Sequence, residues 1–83
     1  MKRKTLVIRF RQYTITQANY ISAPLNFTII ETTRSFEGRD QLAAEMKMDA
    51  WLTKVTSCGY FLYGNTMIPT GNIVEFSHSL SDV

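Results

Sequence analysis

The chain has 83 residues, with nine Lys and Arg against seven Asp and Glu, so its formal charge is +2. The apolar fraction of 45% is too high for a disordered chain, and no apolar run approaches the ~18 residues that span a bilayer. One cysteine, Cys58, cannot form an internal disulfide, which favours a reduced, cytoplasmic setting. We therefore expect a single domain over residues 1–83, with a basic arm at 1–4 and a frayed tail at 79–83.

The first predicted strand covers Thr5–Thr16, a segment rich in β-branched and aromatic residues. Its apolar side chains alternate with basic and polar ones, which is typical of a strand with one polar face. The alternation changes phase at Tyr13. A bulge near Arg11-Gln12 would explain the change, and so would burial of the strand on both faces.

The second predicted strand runs from Leu25 to about Thr33 and has the clearest period-two pattern in the chain. Gln17–Pro24 is predicted to connect the two strands, with turn-forming residues at Asn19 and Pro24. Because the connection is short, the two strands are expected to pair antiparallel.

A helix is predicted to begin after Asp40 and to end at Cys58, with Gly59 as the residue that terminates it. Six residues of this segment fall on one helical stripe that should pack on the sheet. They are Ala44, Met48, Trp51, Leu52, Val55 and Cys58. Leu42 and Met46 lie on roughly the opposite face, where they are either ordinary exposed residues or part of a partner site.

The last third of the chain predicts Tyr60–Tyr63 as a short strand and Ile73–Ser77 as a final one. Thr66–Ile68 either continues the first of these or pairs separately, and Pro69–Asn72 is a turn. The expected order is ββαββ or ββαβ. The fold class is thus α+β: a small antiparallel sheet of three to five strands with one amphipathic helix packed on one face.

Few residues in this chain are suited to catalysis. Cys58 and His78 are the only thiol and imidazole, but Cys58 falls on the predicted core stripe near a helix C-terminus, which disfavours a thiolate. Glu45 and Asp49 would be neighbours on the helix, where such pairs are usually solvated. We expect no enzyme activity, no cofactor and no metal site.

Charge placement is the most informative feature of the sequence. The first eleven residues carry +5 and no acid occurs before Glu31, whereas from Glu31 onward the charge is −3. Basic side chains next to an aromatic on a strand can hold phosphates and stack bases, or can meet an acidic protein. The candidate residues for this role are Lys2, Arg3, Lys4, Arg9, Arg11 and Tyr13.

The leading hypothesis is a small protein-binding regulator or inhibitor that occludes or scaffolds a larger protein. It would use the open sheet face, the apolar pair Tyr20 and Ile21 in the first connection, and Leu42 and Met46 on the helix. Viral and mobile-element proteins that block a host or defence factor are one source of such chains. The alternative is a nucleic-acid-binding domain that uses the basic first strand. A homodimer is compatible with both, and no membrane partner is expected.

Overall fold

The computed structural model describes residues 1–14 and 26–83. Five strands and one helix are formed in these ranges, and a single 3₁₀ turn at Thr70–Asn72 precedes the last strand. The elements are β1 (Lys2–Thr14), β2 (Asn26–Gly38), α1 (Gln41–Cys58), β3 (Tyr60–Tyr63), β4 (Thr66–Pro69) and β5 (Ile73–Asp82). The fold is α+β, as predicted. The order is ββαβββ, with one strand more than expected, because β4 pairs separately and β5 follows it.

The strands form two sheets. In the larger sheet β1 is central, and β2 and β5 pair with it antiparallel on either side. The short strands β3 and β4 make a separate hairpin. Helix α1 lies over β2 and β1. One face of the larger sheet is thus covered along these two strands, and the helix-side face of β5 extends beyond the helix.

The expected bulge near Arg11-Gln12 is absent from the pairing of β1 with β2, whose register is unbroken from Lys2 to Thr14. The irregularity lies instead on the other side of β1. There Arg9 is opposite Glu75 and Phe10 is opposite Ile73, so Val74 is an extra residue in β5. Tyr13 therefore stays on the same face as Arg9 and Arg11.

The core lies between the helix, the larger sheet and the hairpin. It contains Leu6, Ile8, Phe10, Met48, Val55, Phe61 and Ile68. The rings of Phe10 and Phe61 meet edge to face with their centroids 5.2 Å apart, which joins the hairpin to the central strand. The alternation predicted for the start of β1 is confirmed, because Leu6, Ile8 and Phe10 are fully buried and the residues between them are not.

Both ends of the helix follow the sequence prediction. The Asp40 side chain accepts a hydrogen bond from the backbone N–H of Ala43 at 2.9 Å. At the other end Gly59 adopts a left-handed conformation, with φ of 80°, and its N–H donates to the Val55 carbonyl.

The predicted core stripe is correct except at its last member. Ala44, Met48 and Val55 are buried, and Trp51 and Leu52 pack partly buried against the core. Cys58 is exposed, contrary to the expectation. Cys58 lies almost one turn beyond Val55, which is the last buried residue of the helix. The Val55 carbonyl accepts a hydrogen bond from the Thr70 hydroxyl, in the turn that precedes β5. The helix has therefore passed the core before Cys58.

The two chain ends differ from the expected basic arm and frayed tail, because each belongs to a strand. β1 begins at Lys2, and β5 continues through the expected tail to Asp82. The Lys2 ammonium pairs with the Asp82 carboxylate, and the Val83 N–H donates to the Met1 carbonyl at 3.1 Å. Lys2 and Asp82, which carry opposite charges, are thus direct neighbours on the paired strands β1 and β5. No helix among residues 1–14 and 26–83 is long and apolar enough to cross a membrane.

Candidate protein-binding surface

The side of the larger sheet turned away from α1 is called the open face below. On the central strand it carries the odd-numbered residues, since Leu6, Ile8 and Phe10 point to the helix. On the neighbouring strand β2 the open face carries hydroxyl side chains. Thr33 lies opposite Val7, and Ser35 lies opposite Thr5. The section of the open face between Arg3 and Arg9 therefore carries mainly hydroxyl groups and no charged side chain.

The basic residues of β1 are mostly neutralised within the protein. Arg9 Nε lies 3.0 Å from Glu31 on β2, and Arg9 Nη1 lies 3.4 Å from Glu75 on β5. Arg3 pairs with Glu37 at 2.6 Å. The charge separation seen along the sequence is thus cancelled in space, because the antiparallel sheet places acidic strands on both sides of the basic one.

Lys4 is not part of the open face, since it points to the helix side and is 5% exposed. Its Nζ lies 3.0 Å from Nδ1 of His78 and 3.5 Å from Oε1 of Glu45. A lysine ammonium can only donate, so Nδ1 of His78 accepts from it. The Gln41 amide donates to Glu45 at 2.9 Å, and together with Lys4 it lowers the pKa of that carboxyl group. This cluster connects β1, α1 and β5.

An exposed apolar group lies at the far end of the open face, where the pairing of β5 with β1 has ended. Beyond Phe10 the strands β1 and β2 continue as a two-stranded ribbon. The ribbon patch consists of four side chains on two cross-strand pairs. They are Arg11, Tyr13, Phe27 and Ile29.

The ribbon patch is ordered by contacts among its own members. The rings of Tyr13 and Phe27 meet edge to face at 5.7 Å, and the Arg11 guanidinium lies 5.2 Å from the centre of the Phe27 ring. Phe27 is nevertheless 48% exposed, Ile29 47% and Tyr13 40%. Among the ion pairs of the described residues none includes Arg11. The patch therefore combines exposed apolar area with a cation that is available to a partner.

The remaining predicted protein-binding residues lie elsewhere. Tyr20 and Ile21 fall outside the described residues. Leu42 and Met46 are 66% and 64% exposed on the helix, in the other layer of the fold. The helix face and the open face are therefore two separate surfaces.

Of the two candidate catalytic pairs, Glu45 and Asp49 are about one turn apart on α1, whereas Cys58 and His78 are not brought together. His78 lies beside Lys4, in the cluster that includes Glu45, whereas Cys58 ends the helix. Glu45 and Cys58 are thirteen positions apart on one helix, or about 20 Å at 1.5 Å per residue. Within the ranges 1–14 and 26–83, no three His, Cys, Asp or Glu residues are grouped as metal ligands.

A shallow cavity of about 200 Å³ lies near the helix C-terminus, between Arg34, Trp51 and Lys54. The Arg34 guanidinium is 5.8 Å from the Trp51 ring and donates to the Leu62 carbonyl. The volume is below the roughly 300–1,000 Å³ of ordinary small-molecule sites. Arg34 thus links β2 to the hairpin.

Two residues of the ribbon patch, Phe27 and Ile29, were not identified from the sequence. Their alternation in the second strand is the same whether they face a core or solvent. Only the register opposite Tyr13 and Arg11 shows which side they occupy. Comparison of the chain with protein-family models, with curated proteins and with solved structures finds no match.

Proposed function

We propose that this protein is a protein-binding regulator that docks on a larger protein through the ribbon patch of its open face. The observation that carries the proposal is the exposed apolar group formed by Tyr13, Phe27 and Ile29 with Arg11 beside it. Aromatic residues and arginine are enriched at the centres of protein interfaces, where they supply most of the binding energy.

The shape of the sheet supports this proposal. The described residues extend over 53 Å in the longest direction and over 23 and 20 Å in the other two. A two-stranded ribbon is only marginally stable by itself, so its exposed side chains gain most when another surface covers them. A partner with an apolar groove and a carboxylate near Arg11 fits these features. Binding there would occlude or scaffold the partner, as an inhibitor or adaptor in the cytoplasm would.

Nucleic acid is the less supported partner. Phosphate binding needs free cations, and Lys2, Arg3 and Arg9 are each paired with a carboxylate. Lys4 is buried on the other face. Of the basic residues of β1, only Arg11 has no carboxylate partner among the described residues, and one cation is too little positive charge for a phosphate-binding surface.

The test is site-specific photocrosslinking in cells. A photoreactive residue replaces Phe27 in one variant and exposed Thr53, on the helix, in a matched control. We expect one protein adduct from position 27 that survives nuclease treatment and is absent from position 53. Adducts with nucleic acid only, or identical adducts from both positions, would contradict the proposal.

The purified adduct partner then provides a quantitative test. Phe27→Ser with Ile29→Ser should weaken its binding at least ten-fold, because most of the exposed apolar area of the patch is lost. Leu42→Ser with Met46→Ser tests the helix face in the same way. Loss of binding in the helix variant alone would transfer the site to the helix.

A further inference from the structure

The outer edge of β5 is a long strand edge without a partner in the described chain. β5 is ten residues long and, within residues 1–14 and 26–83, pairs only with β1, so no strand of these ranges pairs with the backbone N–H and C=O groups on its other side. Exposed edges are commonly protected by proline, lysine, a bulge or short length. β5 contains no proline or lysine, and its one bulge, at Val74, lies near its start.

The strand edge is also held in position at both ends. Asp82 pairs with Lys2, and the Asn72 side chain, just before β5, donates to the Arg11 carbonyl at 3.1 Å. In the middle, His78 accepts from Lys4. A strand that is already ordered loses little conformational entropy when another strand joins it.

The helix side of β5 carries apolar side chains that the helix does not cover. Phe76 is 44% exposed and Leu80 37%. They lie on either side of His78 on one face, at a spacing of two residues. A strand added at this edge would therefore be expected to carry apolar residues at the positions opposite both.

We propose that the partner of this edge is β5 of a second copy, antiparallel, with the two-fold axis at His78. This register places Phe76 opposite Leu80 of the second copy, and Leu80 opposite its Phe76. Glu75 meets Ser81 of the second copy, so no two carboxylates are opposed. The strand is thus complementary to itself.

Neighbouring registers lack this match. Moving the second strand by two residues places Phe76 opposite either His78 or Asp82. Moving it by one residue places Phe76 opposite a serine and turns the two helices to opposite faces of the sheet. Only the register centred on His78 pairs apolar with apolar at both positions.

The resulting dimer has a continuous six-stranded sheet in the order β2-β1-β5-β5-β1-β2. The axis is perpendicular to the sheet, so both helices lie on one face and both open faces on the other. The two ribbon patches then project at opposite ends. This inference is independent of the proposed function, because the β5 edge and the ribbon patch are different surfaces.

The first measurement is the mass in solution by light scattering over a range of protein concentrations. We expect twice the chain mass of 9.5 kDa at high concentration. Phe76→Lys and Leu80→Glu should each give a monomer, because each places a charge opposite an apolar side chain. Mixed together they should form a heterodimer, since one Lys–Glu pair and one intact Phe–Leu pair result.

Disulfide trapping tests the register. With Cys58→Ser as background, only a cysteine at the axis faces its own copy, so His78→Cys should give a covalent dimer on mild oxidation. Ser81→Cys is the matched control and should remain monomeric. Ser77→Cys mixed with Ser79→Cys provides a second trap that leaves the Lys4–His78 contact in place.

A monomer at all concentrations would overturn the proposal. A dimer that neither charge variant dissociates, or equal trapping at positions 78 and 81, would show that another surface associates and would equally overturn it. Circular dichroism of each variant shows whether it is folded. If a charge variant does not fold, disulfide formation between Ser77→Cys and Ser79→Cys still tests whether two copies pair in the proposed register.

Discussion

At the scale of single residues, a close backbone approach occurs where β2 meets the start of α1. Gly38 is buried there, and a Cβ atom at this position would lie 2.4 Å from the Ala44 nitrogen and 2.8 Å from the Ala43 carbonyl carbon. Glycine is required for space, since the φ of Gly38 is not positive. This contact sets the distance between the strand and the helix.

Gly38→Ala should lower the free energy of unfolding by roughly 1–3 kcal/mol, the usual cost of overpacking. Urea denaturation measures it. Gly71→Ala is the matched control, because nothing lies within 4 Å of its Cβ position and its φ is not positive. Equal stability of the two variants would refute the steric explanation.

The exposure of Cys58 gives a second prediction at this scale. A thiol reagent should modify the folded protein stoichiometrically without denaturant, since the side chain is exposed. Cys58→Ser should change the free energy of unfolding by less than about 0.5 kcal/mol, as surface substitutions usually do. Reaction only after addition of denaturant would mean that the thiol is buried.

At the scale of elements, β5 is held by its backbone pairing with β1 and by side-chain interactions at its two ends and at His78, because the helix lies mainly over β2 and β1. The hydrogen bond and charge of Lys2 hold the pKa of the Asp82 carboxyl below its usual value. A carboxyl group whose pKa is lowered by folding stabilises the fold above its unfolded pKa. That contribution is lost as the pH falls through the folded value.

We therefore expect the end of β5 to loosen in acid, below about pH 4, where free aspartate titrates. Hydrogen-exchange protection of the Ser81 amide, which lies opposite Arg3 of β1 and points to that strand, should fall there after correction for the intrinsic rate. Asp82→Asn removes the titrating group, so its protection should be lower at neutral pH and should change less in acid. The same acid response in the wild type and in Asp82→Asn would exclude Asp82 as the cause.

At the scale of the whole molecule, the antiparallel pairing converts a polarised sequence into a surface of local ion pairs. Arg9 lies between Glu31 and Glu75, one from each neighbouring strand. The basic first strand therefore has much less free charge than its sequence suggests. Surface ion pairs of this kind add little stability, but they remove cations from any phosphate site.

Oligonucleotide binding should accordingly be weak. We expect no measurable shift in fluorescence anisotropy of a labelled single strand at ~0.15 M salt and micromolar protein. Glu31→Gln with Glu75→Gln should increase the affinity, because these changes release Arg9. Tight, strongly salt-dependent binding by the wild type, lost on changing Arg9 and Arg11 to Ala together, would instead support the nucleic-acid alternative.

The sequence determined the local features of this protein. Asp40 and Gly59 set the helix ends through interactions within a few residues, and the alternation of Leu6, Ile8 and Phe10 identified the core face of β1. These predictions succeeded because capping and side-chain periodicity are local properties that neighbouring residues fix.

Tertiary structure alone decided what the surface presents. The neutralisation of Arg9, the exposure of Phe27 and the unpaired edge of β5 all depend on which strands are neighbours and in which register. Those pairings join residues up to 80 positions apart, as Lys2 and Asp82 show. A strand's periodicity states which residues share a face. Whether that face meets a core, a carboxylate or solvent is set by packing between distant segments.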